Sequence, residues 1–288
     1  MAQVQGAYYV PHSSRWPIFG SVALFLLMFG AANLVNGAAS GGVMLGLGSL
    51  LIIIMLFGWF GDVIREHLQG LYNAQVDISF RQGMAWFIFS EVMFFAAFFG
   101  ALFYARALAV PWLGGVGDGF ATNQFLWSDF TPAWPTNGPA EVGGYFSTIP
   151  AWGIPLLNTI ILLISGLTIT MAHWALKVGK RRALIGWLAA TVGLGMIFLY
   201  FQVYEYVHAY RDLNLTLSSG IYGSTFFMLT GFHGMHVTLG AIMIAVILGR
   251  CIAGHFTKDN HFAFEAVAWY WHFVDVVWLG LFVFVYVL

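Results

Sequence analysis

The chain has 288 residues, of which 60% are hydrophobic and only 8% charged, with a formal net charge of −1. A water-soluble domain carries about 25% charged residues, so a surface this poor in charge belongs in lipid. The near-neutral balance argues against a nucleic-acid partner, which needs a basic patch. The single cysteine, Cys251, excludes an intrachain disulfide framework and a cysteine-based metal cluster.

In chain order, the first fifteen residues are mostly polar or small and show no cleavable signal pattern. Seven apolar stretches follow, near 17–35, 42–61, 83–105, 153–176, 183–208, 220–250 and 262–288. Each is long enough for a membrane-spanning helix, which needs roughly 20 largely apolar residues. The expected fold class is therefore all-α, an integral membrane bundle of seven transmembrane helices, with 1–288 forming a single membrane domain. Asn36-Gly37 reads as the turn between the first two helices. The longest connection, 106–152, holds Pro111, Pro132, Pro135, Pro139 and Pro150, and sets Asp118, Asp129 and Glu141 against Arg106. It reads as an irregular outer loop whose tryptophans are candidates to pack on a partner.

Orientation follows from the basic residues. With the N-terminus inside, the inner segments hold Arg15, Arg65, Arg81, Lys177, Lys180, Arg181, Arg182, Arg250 and Lys258, and the outer ones hold Arg106 and Arg211. Trp16, Trp59, Trp86, Trp174 and Trp187 fall near the expected inner ends, where indoles sit at headgroup level. Small residues recur at every fourth position in Ala97, Ala101 and Ala105, and in Ala241, Ala245 and Gly249. Such stripes let helices approach closely in a bilayer.

Ionisable groups inside a membrane are costly and are functional candidates by default. Glu91, in Ser90-Glu91-Val92-Met93-Phe94-Phe95, is the clearest case. It is either a carboxyl that handles protons or contacts lipid, or a neutral acid hydrogen-bonded to a neighbouring helix. Glu205 and His208 lie three apart on the fifth helix, as do His272 and Asp275 on the seventh, so each pair shares a face. Both read first as interhelical polar pairs, with a proton relay as the alternative. Glu265 sits near the inner end of the seventh helix and reads as reaching the interface. His233 and His236 have a spacing that can bind metal, with His173, His208 and His272 as conceivable further ligands. Helix-bridging histidines are the commoner case, and no metal is expected.

Several runs resemble the cytochrome c oxidase subunit III family. They are Phe264 to Trp278 (FEAVAWYWHFVDVVW), Tyr222 to Phe227, Thr230 to Val237, Ser90 to Phe95 and Trp59 to Glu66. Pro155 to Thr159, Ser165-Gly166 and Ala172-His173 add to them. The resemblance implies a bundle in which helices one and two splay from helices three to seven around a lipid-filled cleft. It implies a non-catalytic subunit with no cofactor of its own, associated with subunits I and II, which carry the haem and copper. Bound phospholipids, support of proton uptake and protection from turnover inactivation are likewise implied. Glu91 then matches the family's buried glutamate, and Arg65, Glu66 and Arg250 fall at positions associated with lipid headgroups. His173-Trp174 stands where a histidine pair is common, and His67 to Tyr72 lacks histidines found in many relatives. The 106–152 loop resembles bacterial members, which implies a bacterial inner membrane with a cytoplasmic N-terminus and a periplasmic C-terminus. Two other readings remain: subunit III of a quinol oxidase, and a stand-alone proton-coupled transporter lined by Glu91, Glu205 and Asp275.

Overall fold

The computed structural model describes residues 8–10 and 13–288, so the polar N-terminal stretch lies partly outside it. No strand occurs among the described residues, and seven helices are long and apolar enough to cross a membrane. They are α1 (Trp16–Val35), α2 (Ser40–Leu68), α3 (Ala74–Phe103), α4 (Ile154–Lys177), α5 (Arg181–Asp212), α6 (Gly220–Ala253) and α7 (Phe262–Leu281). Helices satisfy every backbone polar group within the segment, which hydrocarbon demands. α3 continues through a π-helical stretch, Tyr104–Ala109, into Val110–Leu113, and α7 continues through Phe282–Val287.

All seven expected spans are present, but three boundaries differ by seven residues or more. α2 runs to Leu68 rather than 61, and α3 starts at Ala74 rather than 83 and continues to Leu113 rather than 105. The 40-residue Ala74–Leu113 segment is about 60 Å long, twice the roughly 30 Å hydrocarbon core. Its polar first turns therefore project beyond the lipid, where hydropathy carries no signal. Trp86 accordingly lies three turns inside α3 rather than at its end.

The chain divides into two compact units, Met1–Gln82 and Gly83–Leu288. In the first, α1 and α2 pack as an antiparallel hairpin whose turn includes Gly37, with φ +75°. Backbones meet directly across glycines: a Cβ at Gly30, Gly41 or Gly48 would stand 2.4, 2.3 or 2.5 Å from a backbone nitrogen of the facing helix. Trp16 caps the hairpin, its ring over Gly58 and its Nε1–H donating to Asp62 at 2.8 Å.

In the second unit, α4 packs on α5 and α7, and α6 on α5 and α7. The fully buried Trp271 and Trp278 of α7 form its centre. Their indole N–H groups donate to Ser165 Oγ (3.0 Å) and Thr159 Oγ1 (2.9 Å) of α4. Trp271 lies against Gly195 and Gly240, where a Cβ would come within 2.9 and 2.8 Å of its ring. The two stripes of small residues are largely exposed; only Ala105 and Ala241 are buried. Close approach instead occurs at these glycines.

The connection between α3 and α4 carries a short helix, Phe120–Leu126, and folds back on the start of α6. Trp134 packs edge-on against Tyr222 and Phe146 stacks on it, while Thr136 accepts a hydrogen bond from the Tyr222 amide. Trp134 thus packs within the chain, whereas Trp152 is exposed.

Candidate functional site

Glu91 lies 17 residues into α3, about 25 Å along it, and its carboxyl meets His236 of α6 at 2.9 Å. The imidazole is almost fully buried and the carboxyl about one-fifth exposed. Phe95 stands edge-on to the imidazole, Tyr270 stacks on it, and Phe94 and Phe273 complete an aromatic enclosure. The His236 Nδ1 is 2.6 Å from the carbonyl oxygen of Phe232. A carbonyl only accepts, so Nδ1 carries the hydrogen and a neutral ring presents a lone pair at Nε2. The contact with Glu91 therefore holds one further proton, either on the carboxyl donating to Nε2 or on Nε2 donating to the carboxylate. Two groups 145 residues apart share one proton at a defined place inside the bundle. Glu91 thus bridges α3 to α6.

The neighbouring histidine takes a different role. His233 donates from Nε2 to the Val274 carbonyl of α7 at 3.2 Å, between the rings of Phe198 and Trp278. His233 and His236 thus address different helices rather than a common centre.

Of the two expected pairs at spacing three, one finds other partners and one meets. Glu205, buried, accepts from Tyr286 at 2.5 Å and faces Gln202, so it bridges α5 to the chain's last turns. His208 pairs instead with Asp212 at 2.7 Å on the exposed end of its own helix. His272 and Asp275 do meet, at 3.5 Å, and His272 Nε2 also contacts Thr170 of α4 at 3.2 Å. Asp275 turns into the α4–α7 seam, where a Cβ at Gly166 would stand 2.3 Å from its Oδ2.

In the first unit, Arg65 pairs with Asp62 at 3.1 Å with its side chain largely exposed. Glu66 accepts from Tyr9 (2.9 Å) and Tyr72 (2.7 Å). Desolvation and the adjacent Glu66 push the Tyr9 phenol above its ordinary range. In the second unit, Arg250 is buried, its guanidinium 4.4 Å from the Phe256 ring centre.

Sequence reading passed over His261. It lies beside Glu265, with a ring nitrogen 3.2 Å from its carboxylate and 3.3 Å from His173. The spacing of four between His261 and Glu265 was the available signal.

The fold defines a multi-pass helical membrane protein with a carboxyl–imidazole pair inside its bundle. A family model described as cytochrome c oxidase subunit III matches residues 6–288, and the chain belongs to that family. It is 42% identical to the cytochrome c oxidase subunit 3 of Prototheca wickerhamii over 280 residues, 97% of this chain and 96% of that one. It is 41% identical to that of Danio rerio and 40% to that of Oncorhynchus clarkii, each over 287 residues, 99% of this chain and 98% of the relative. These relatives are eukaryotic and give no support to the bacterial qualifier drawn from the 106–152 loop.

Proposed function

We propose that the chain is the non-catalytic subunit III of a cytochrome c oxidase, packing on subunits I and II, which hold the haem and copper. The observation that carries this reading is the match to the family over almost the whole length. The proton-holding Glu91–His236 pair is compatible with a supporting role in proton uptake and in sustaining turnover. The exposed guanidinium of Arg65 suits a phospholipid phosphate, which arginine grips with paired N–H donors. Glu66, held by two phenols, fixes the helix end beside it, and Arg250 is proposed as a second headgroup contact. Nine basic residues against two favour an inner N-terminus and an outer C-terminus.

The test is mild-detergent purification through a tag on this chain, with optical spectra and peptide identification of what accompanies it. Haem a, copper and two larger redox subunits in fixed proportion are expected. A colourless chain recovered alone from native membranes would overturn the assignment.

A further inference from the structure

Where the C-terminal turn of α4 meets the N-terminus of α7, three donor atoms face one another. His173 Nε2 is 3.3 Å from His261 Nε2 and 3.5 Å from Glu265 Oε1, and His261 Nε2 is 3.2 Å from Glu265 Oε1. The three atoms form a nearly equilateral triangle. A tetrahedral zinc ion with nitrogen and oxygen ligands at about 2.0–2.1 Å has ligand–ligand edges of about 3.3–3.4 Å. One face of that tetrahedron therefore already exists.

His261 Nδ1 lies 3.0 Å from the carbonyl of Thr257, so it carries the hydrogen and leaves a lone pair on Nε2. Its Nε2 faces the Glu265 carboxyl at 3.2 Å. A cation above the triangle satisfies all three donors at once. The Thr257 carbonyl behind His261 is the second-layer partner that metal-bound histidines ordinarily have, fixing tautomer and ring orientation.

We propose that His173, His261 and Glu265 bind a divalent transition-metal cation, zinc by their donor set. Imidazole and carboxylate donors suit zinc, and the carboxylate offsets half of its charge. His173 is about one-quarter exposed against 8% for His261 and 13% for Glu265, so the fourth position opens to water on the His173 side. Lys177, one turn along α4, acts electrostatically on His173 and opposes the cation. The other histidines that the sequence offered as ligands do not gather: His233 and His236 address separate helices, His208 is paired with Asp212, and His272 contacts Asp275 and Thr170. This site does not depend on the oxidase assignment.

The test purifies the chain through a histidine-free tag with whatever assembles on it, strips it with EDTA, and titrates it with Zn²⁺ alone. Bound zinc is counted by elemental mass spectrometry, beside His261→Asn and Glu265→Gln. The wild type is expected to hold one more zinc per chain than either variant, or to bind that zinc at least ~10-fold more tightly. Loss of even an outer-layer partner weakens metal binding that much. Equal stoichiometry and affinity would overturn the site. Should the variants fail to assemble, the wild type alone answers through diethyl pyrocarbonate modification of His173 with and without Zn²⁺. Several-fold protection by zinc supports the site, and equal modification overturns it.

Discussion

At Glu91 the relevant quantity is a proton. Because His236 spends its Nδ1–H on the Phe232 carbonyl, the bond to Glu91 survives only if a donor occupies the glutamate position or the ring is charged. Glu91→Gln supplies such a donor in its amide, so helix bridging is retained while the exchangeable carboxyl proton is lost. Glu91→Ala leaves a nearly buried imidazole nitrogen unpaired, at a cost of about 1–3 kcal/mol. The expected outcome is that Glu91→Gln keeps nearly wild-type thermal stability and assembly, whereas Glu91→Ala loses both. Equal loss in the two variants would mean that the acid, not the bridge, holds α3 to α6. The candidate glutamate was legible from sequence because a carboxyl in an apolar run stands out. Its partner was not, because spacing along one helix says nothing about which side chain 145 residues away meets it. Glu205 and His208 show the converse: spacing put them on one face, yet their hydrogen bonds go to Tyr286 and Asp212.

Among the elements, the α1–α2 hairpin depends on shape rather than on polar contacts. At Gly48 a Cβ would lie 2.5 Å from the Leu27 nitrogen. Backbone cannot swing aside as a side chain can, so Gly48→Leu is expected to force the helices apart, at about 1–3 kcal/mol or more. At Gly46 nothing lies within 4 Å, which makes Gly46→Leu the matched control. Thermal unfolding of the detergent-purified protein should separate the two, and identical melting would refute the close backbone contact. In the second unit, Trp278→Phe removes the donor to Thr159 while Thr159 keeps its own bond to Pro155. No acceptor is stranded, so a loss of about 1 kcal/mol is expected in the same melting experiment. The seven spans were readable in sequence because hydrocarbon imposes both apolarity and length. The first turns of α3 and the end of α2 were not, since helix outside lipid is polar. The glycine contacts were not either, because packing glycines and lipid-facing ones look alike in composition.

For the whole molecule, the decisive question is which way the spans run. Lys180 and Asp118 both lie exposed on segments separated by α4 alone. One crossing places them on opposite sides whatever the orientation. Cys251, the native cysteine, is buried, so a membrane-impermeant maleimide should leave the parent chain unlabelled. Lys180→Cys is then expected to label only from the inner side and Asp118→Cys only from the outer side, matching the basic residues concentrated in the inner segments. The inverse pattern would overturn the N-inside orientation while leaving the spans intact. Labelling of both from one side would instead contradict α4 as a crossing. The same measurement bears on the metal site, because His173, in the last turn of α4, and His261, at the start of α7, lie at the Lys180 end of α4: zinc reaches them from whichever side labels Lys180→Cys.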